Sequence, residues 1–150
     1  MINKVIKFTT IACFLFNTSS AFAKANCVHD PAKLKCVDYV KLHGSNAIIA
    51  NVPNLHPLMG ANLKIRFSNV KMPKLRSKDK CAKKKAKEAK EFLKTTFKHA
   101  KRIDVVEARR DRSFAVKGEV KIDGKPLSEI LISRRLAVSD VQRNVNWCKL

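Results

Sequence analysis

Three cations, Arg66, Lys71 and Lys74, stand close together in one short stretch of the sequence, and no acidic residue occurs between Asp38 and Asp79. A hard divalent cation needs several oxygen ligands, often from carboxylates. Ammonium and guanidinium groups repel such an ion and attract a phosphate or another anion. The residue types in this stretch therefore favour anion binding over metal-dependent chemistry.

A second group of cations follows one side of a predicted helix. Asp79 is a suitable N-cap, and apolar residues from Ala82 to Ala100 recur with three-four spacing, so we predict a helix from Asp79 to about Ala100. Lysines with the same spacing form a separate row, about a quarter-turn away at roughly 100° per residue. This lysine row comprises Lys83, Lys87, Lys90, Lys94, Lys98 and Lys101. Lysine-rich helix faces are often merely solvated, but Glu88 and Glu91 fall outside this row, which we interpret as a candidate polyanion-binding surface.

The whole chain is strongly basic. Its 150 residues include 32 Lys+Arg and 12 Asp+Glu, which gives a formal net charge of +20. Self-repulsion on this scale is costly unless salt or a polyanion screens it. Nucleic acid, anionic lipid, acidic polysaccharide and acidic protein are therefore the candidate partners, and charge alone does not choose among them.

Residues 1–23 have the features of a secretory signal peptide. Lys4 and Lys7 form a basic n-region, Phe8–Phe16 is mostly apolar but too short to span a bilayer, and Ala21-Phe22-Ala23 is a small-x-small cleavage site, with a second possible site two residues later. We expect export to the periplasm or outside the cell. Residues 24–150 would then form a single domain, monomeric and without a transmembrane segment.

The expected mature chain contains four cysteines, Cys27, Cys36, Cys81 and Cys148. In an exported protein these predict two disulfides, with three possible pairings. Cys27 with Cys36 would close a short loop, and Cys81 with Cys148 would join the start of the predicted helix to the C-terminus. A zinc site is the alternative, but C-x-x-C spacing is absent and the histidines are scattered, so we predict no metal site.

The pattern of apolar residues predicts an α+β protein. Alternating or β-branched segments indicate strands. The predicted strands are Cys36–Leu42, Asn46–Val52, Asn62–Val70, Ile103–Val106 and Phe114–Ile122. Pro53–Gly60 is a predicted loop, Leu127–Ile132 a short helix and Leu136–Val138 a small extended piece. Three strands, a helix, two strands and a helix fit a five-stranded Greek-key barrel of the OB type, with two to three helices.

Several landmarks, in this order, resemble the staphylococcal-type (thermonuclease-like) nuclease family. They are the strand Ile65-Arg66-Phe67, Pro73, the Lys/Ala-rich helix, Lys101–Val105, Val120–Leu127 and Leu131–Ala137. Lys78–Cys81 and Asn146–Cys148 are similar to an exported, cysteine-bearing bacterial branch of that family. The resemblance covers roughly Cys36 to Cys148 and implies an OB-type barrel. It also implies that intact members of the family hydrolyse phosphodiesters. In such members a calcium ion lies between two aspartates, and a glutamate acts as general base or positions the attacking water. Two arginines stabilise the charge that develops on the phosphate.

The carboxylates that the resemblance implies are replaced in this chain. The family's Asp-Gly-Asp-Thr falls on His43–Asn46, which places Ser45 at a calcium aspartate. The second calcium aspartate falls on Lys71 and the glutamate on Lys74. The resemblance thus implies a site that has lost its calcium ligands and its base.

The family's two arginines are only partly matched. Arg66 matches the first. Counting back without gaps from Asp123-Gly124-Lys125 places the second at Ala115, whereas a slip of one to three residues would place Arg112 or Arg110 there. A slip of three would turn the wrong face of the strand inward.

The leading hypothesis is therefore an exported thermonuclease-like protein that binds nucleic acid or another polyanion non-specifically, without cleaving it and without a cofactor. Arg66, Lys71, Lys74 and the lysine row would contact phosphates, in a manner sensitive to salt. A divergent active nuclease is one alternative. A secreted protein that docks on an acidic protein or envelope component is another, and a membrane-surface binder ranks last.

Overall fold

The structure is a computed structural model that describes residues 27–150. Its elements in chain order are β1 (Lys33–Leu34), β2 (Asp38–Leu42), β3 (Ala47–Asn51), α1 (Pro57–Gly60), β4 (Leu63–Phe67), β5 (Val70–Lys71), α2 (Lys80–His99), β6 (Ile103–Arg110), β7 (Val116–Ile122), β8 (Lys125–Pro126), α3 (Leu127–Ser133) and β9 (Val138–Ser139), followed by a 3₁₀ turn at Trp147–Lys149. The signal peptide predicted for residues 1–23 lies outside the described residues.

The longer strands form a closed barrel. β2, β3 and β4 are an antiparallel meander, β4 then pairs with β7 in parallel, and β7 pairs with β6 in antiparallel orientation. The Val37 N–H, just before β2, donates to the Ile103 carbonyl at the start of β6 at 2.8 Å and so joins the two ends of this order. The predicted α+β class and OB-type barrel are confirmed.

Helix α2 packs its apolar side on this barrel. The Asp79 carboxylate accepts the Cys81 N–H at 2.8 Å, as expected of an N-cap. Leu93 and Phe97 are buried, and the Phe97 ring stacks on Tyr39 with the ring centroids 5.2 Å apart. Burial of such side chains stabilises by about 1.5–3 kcal/mol each. The lysine-bearing side of α2, about a quarter-turn from the apolar side, is exposed to solvent.

The ends of two predicted strands were wrong for identifiable reasons. The strand predicted to reach Val70 ends at Phe67, because Asn69 takes a left-handed φ of 60° and Val70–Lys71 pairs with β9 instead. β6 continues past Val106, since a register shift at a left-handed Glu107 (φ 53°) lets the ladder with β7 resume. The predicted Pro53–Gly60 loop contains the single turn α1.

Both disulfides expected from the cysteine count are present. Cys27 pairs with Cys36 at a sequence separation of 9, and Cys81 pairs with Cys148 at a separation of 67. The second bond links the first turn of α2 to the 3₁₀ turn near the C-terminus. Among residues 27–150, no helix has both the length and the apolar character needed to cross a bilayer.

Candidate functional site

A cleft of about 670 Å³ opens between the β2–β3 turn and the segment after β4. Its lining consists of Gly44, Ser45, Asn46, Val70, Lys71, Met72, Lys74, Leu75, Arg76 and Asp140. The Ser45 hydroxyl donates to the Pro73 carbonyl at 3.0 Å and so holds the turn against this segment. Ser45, Lys71 and Lys74, which were predicted from two separate motifs, therefore line the same cleft.

The cleft carries more positive than negative charge. Lys71, Lys74 and Arg76 are exposed in its lining, and Asp140 is the one acid that lines it among the described residues. The Lys71 ammonium donates to the carbonyls of Gln142 at 3.2 Å and of residue 143 at 2.7 Å. Since an ammonium has three N–H groups, one remains for a ligand.

Asp140 and Arg76 were not predicted as site residues. Asp140 reaches the cleft because β5 pairs with β9, with Val70 opposite Ser139. Both strands are two residues long and show no periodicity that a sequence could reveal. Arg76 could have been found from its position two residues after Lys74, in a segment otherwise assigned to the site.

Arg66 does not line the cleft. It lies on the outer face of the barrel between the buried Ile65 and Phe67, and its Nη1 is 3.2 Å from Oδ2 of Asp111. Asp111 begins the turn between β6 and β7, and its Oδ1 accepts the Ala115 N–H at 3.1 Å. Arg66 and Ala115, the positions matched to the two family arginines, therefore both donate to the Asp111 carboxylate. None of these three residues is among the described residues that line the cleft.

Asp111 remains ionised far below neutral pH. The Ser113 hydroxyl donates to Asp111 Oδ1 at 2.7 Å, and this bond contributes most to a pKa of about 2. The N–H of Ser113, the Arg66 guanidinium and the Ala115 N–H lower the pKa of Asp111 further, while burial opposes them. The ionised carboxylate offsets the charge of Arg66.

The two alternative arginines have other surroundings. Arg110 donates from Nη1 to the Phe114 carbonyl at 2.7 Å, across the turn between β6 and β7. Arg112 is exposed within that turn, whereas Ala115 is buried. Neither Arg110 nor Arg112 is among the described residues that line the cleft.

The lysine row is exposed along α2, with one exception to the predicted geometry. Lys83, Lys87, Lys90, Lys94 and Lys98 all lie on the solvent side of the helix. The helix ends at His99 and Ala100 is extended, so Lys101 lies beyond it and does not continue the row on the helix. Its N–H donates to the Asp123 carboxylate at 3.0 Å, in a turn that redirects the chain into β6.

Part of the lysine row borders a groove of about 400 Å³ between α2 and β2, which we call the α2–β2 groove. The groove is lined by Tyr39, Val40, Lys41, Leu42, Lys90, Glu91, Lys94 and Lys98. Glu91, which falls outside the lysine row, also lines this groove. The groove nevertheless has four lysines and one acid among its described lining residues.

Within residues 27–150, one trio of potential metal ligands has its ligand atoms within 4.8 Å of one another: Asp79, Cys81 and Cys148. The two sulfurs are joined in a disulfide, and the carboxylate caps α2. This cluster is therefore a crosslink beside a helix cap.

Comparison with protein families gives a match to the staphylococcal nuclease homologue family over residues 64–148, more than half of the chain. No curated protein matched the sequence. The matched segment includes β4, α2, β6, β7 and α3, and it carries Arg66, Lys71 and Lys74. The family match and the OB-type barrel agree, and the chain belongs to the family of staphylococcal nuclease homologues.

Proposed function

We propose that this protein binds nucleic acid or another polyanion non-specifically and does not cleave it. The observation that carries the proposal is the charge of the cleft, where Lys71, Lys74 and Arg76 surround a lining with Asp140 as its one described acid. A phosphate placed there would meet ammonium and guanidinium groups. The same groups would raise the energy of a bound cation.

The calcium ion that the family implies does not fit this cleft. Calcium takes six to eight oxygen ligands, several of them usually carboxylates. The Ser45 hydroxyl donates a hydrogen bond to the Pro73 carbonyl. The other two positions matched to the family's acids carry the ammonium groups of Lys71 and Lys74, which repel a cation. The proposed function therefore includes no calcium-dependent hydrolysis.

The cations of the cleft would have unequal parts in binding. Lys71 is held by two backbone carbonyls, so it contributes a fixed charge and one remaining donor. Arg66 is paired with Asp111 and would contact a phosphate only beside or in exchange for that carboxylate. Lys74 and Arg76 are exposed in the lining and would be the main direct contacts.

The test uses the mature protein with both disulfides intact. Labelled single- and double-stranded DNA and RNA would be incubated with it in calcium or in EDTA, then run on native and on denaturing gels. We expect retarded but intact strands in both buffers. Fragments in calcium alone would overturn the proposal in favour of an active nuclease, and neither retardation nor fragments would favour an acidic protein or glycan partner.

A matched variant makes the calcium test sharper. Ser45→Asp with Lys71→Asp and Lys74→Glu would place acids at the positions that the family fills with acids. We expect millimolar calcium to raise the melting temperature of this variant and to leave that of the unchanged protein alone, because a ligand stabilises only the state that binds it. A calcium-dependent rise in the unchanged protein would contradict the loss of the metal site.

We further infer that the protein is exported to the periplasm or outside the cell. The support is the pair of disulfides, which persist in oxidising compartments, together with the leader-like sequence of residues 1–23. N-terminal sequencing of the protein recovered from each cell fraction would test the expected cleavage after Ala23.

A further inference from the structure

We propose that the α2–β2 groove is a binding site for single-stranded nucleic acid, with unpaired bases on its apolar floor and phosphates on its lysines. The inference rests on the proposed function and specifies it, because it names both the form of the nucleic acid and the surface that holds it.

Four consecutive residues, Tyr39 to Leu42, line the β2 side of the groove, although alternate residues of a regular strand point to opposite faces. We call the three apolar ones, Tyr39, Val40 and Leu42, its floor. The register between β2 and β3 shifts between Tyr39 and Lys41, which makes Val40 an extra, bulged residue. A bulge re-aims the side chains beside it. Val40 is 44% exposed, whereas its neighbour Tyr39 and Leu42 are half-buried against the core.

The apolar surface of the floor is held in place from below. The Tyr39 ring is half-buried and lies nearly parallel to Phe97, with an interplanar angle of 11°. Val40 and Leu42 extend the apolar surface along the strand. The aromatic ring of a residue such as Tyr39 accepts the π-face of any base by stacking, and aliphatic side chains beside it add apolar contact. A duplex keeps those faces stacked inside, so contact with this floor requires an unpaired base.

The lysines on the walls of the groove are spaced so that they can contact successive phosphates of a single nucleic-acid strand. Lys41 projects from β2, and Lys90, Lys94 and Lys98 from α2, against one acid, Glu91. Eight residues separate Lys90 from Lys98, which is about 12 Å along a helix. At about 3.4 Å per nucleotide of a stacked strand, the groove would hold about three to four nucleotides.

The groove leads directly to the cleft. Leu42 lines the groove and Gly44 lines the cleft, so the two surfaces are separated by two residues of chain, or at most about 7 Å between Cα atoms. At about 3.4 Å per nucleotide, about two further nucleotides would span this distance, so a 12-mer is long enough to contact both basic surfaces.

The experiment measures fluorescence anisotropy of the full mature protein with three probes: a dT 12-mer, an abasic 12-mer with the same phosphates, and a 12-base-pair duplex. We expect the dT 12-mer to bind about tenfold more tightly than the abasic strand, since one stacked base is enough for that ratio. Val40→Thr keeps the shape of the side chain and should reduce the ratio. Equal affinity for the two strands would overturn the base contact.

A pair of variants locates the site. Lys41→Gln with Lys94→Gln should lower the slope of log affinity against log salt for the dT 12-mer by about 1.4, which corresponds to two lost phosphate contacts. Lys83→Gln with Lys87→Gln removes the same charge from the same helix outside the groove and should have the smaller effect. Equal effects would refute the groove while leaving nucleic-acid binding intact. Absence of binding by the unchanged protein to all three probes would refute nucleic-acid binding itself, and with it both the groove and the nucleic-acid part of the proposed function.

Discussion

Neutralising the four lysines of the α2–β2 groove should produce a large and calculable change in salt sensitivity. The change is Lys41, Lys90, Lys94 and Lys98 to Gln, which removes the four lysines among the described lining residues of the groove. Each phosphate contact on a single strand contributes about 0.7 to the slope of log affinity against log salt, so four contribute about 2.8. Between about 50 and about 200 mM salt, that slope corresponds to about 50-fold in affinity.

The assay is an anisotropy titration with the dT 12-mer at several salt concentrations across this range. The control variant carries glutamine at four exposed lysines that line neither the groove nor the cleft: Lys33, Lys84, Lys125 and Lys149. Both variants lose the same formal charge, so a general effect of net charge would lower both slopes equally. That result would refute the assignment of binding to the α2–β2 groove, and urea denaturation would show whether each variant is folded.

Further predictions concern the polar cluster at Arg66 and the longer disulfide. Asp111→Asn removes the charge that offsets Arg66, so anisotropy should show tighter binding and a salt slope larger by about 0.7; unchanged affinity would place Arg66 outside the interface. The pKa of Asp111 is lowered from 3.8 to about 2, so its stabilising effect is present above pH 3.8 and is lost as the pH falls towards 2. The urea midpoint should therefore drop more over that interval in the unchanged protein than in Asp111→Asn. Cys81→Ser with Cys148→Ser opens a crosslink across 67 residues and should cost about 4 kcal/mol of unfolding free energy; an unchanged urea midpoint would contradict this.

The elements that were predicted well have local causes. The start of α2 follows from the Asp79 cap, and its buried side follows from residues with helical spacing such as Leu93 and Phe97. The alternation around Ile65 fixes which face of β4 is buried. Each of these features depends on neighbours in sequence, so the sequence contains enough information to predict it.

The features that escaped prediction depend on contacts between distant segments. Asp140 enters the cleft through a pairing of two two-residue strands, and Arg66 meets a carboxylate 45 positions away. The bulge at Val40 depends on its register with β3 and leaves no local mark in the sequence. The sequence therefore predicted several residues of the cleft. It did not predict the acid that lines the cleft or the carboxylate that pairs with Arg66.

A barrel of this kind can exchange the charges at its site without losing its fold, because the two sets of residues face opposite ways. Arg66 and Lys71 point outwards, while Ile65 and Phe67 are buried in the core. Carboxylates gathered at such a site repel one another unless a cation lies between them, and lysines gathered there repel one another unless an anion does. Under the proposed function, replacing acids by lysines would leave the packing of the barrel intact and would change the charge of the ligand that relieves the repulsion. The cleft would then favour a phosphate over a cation.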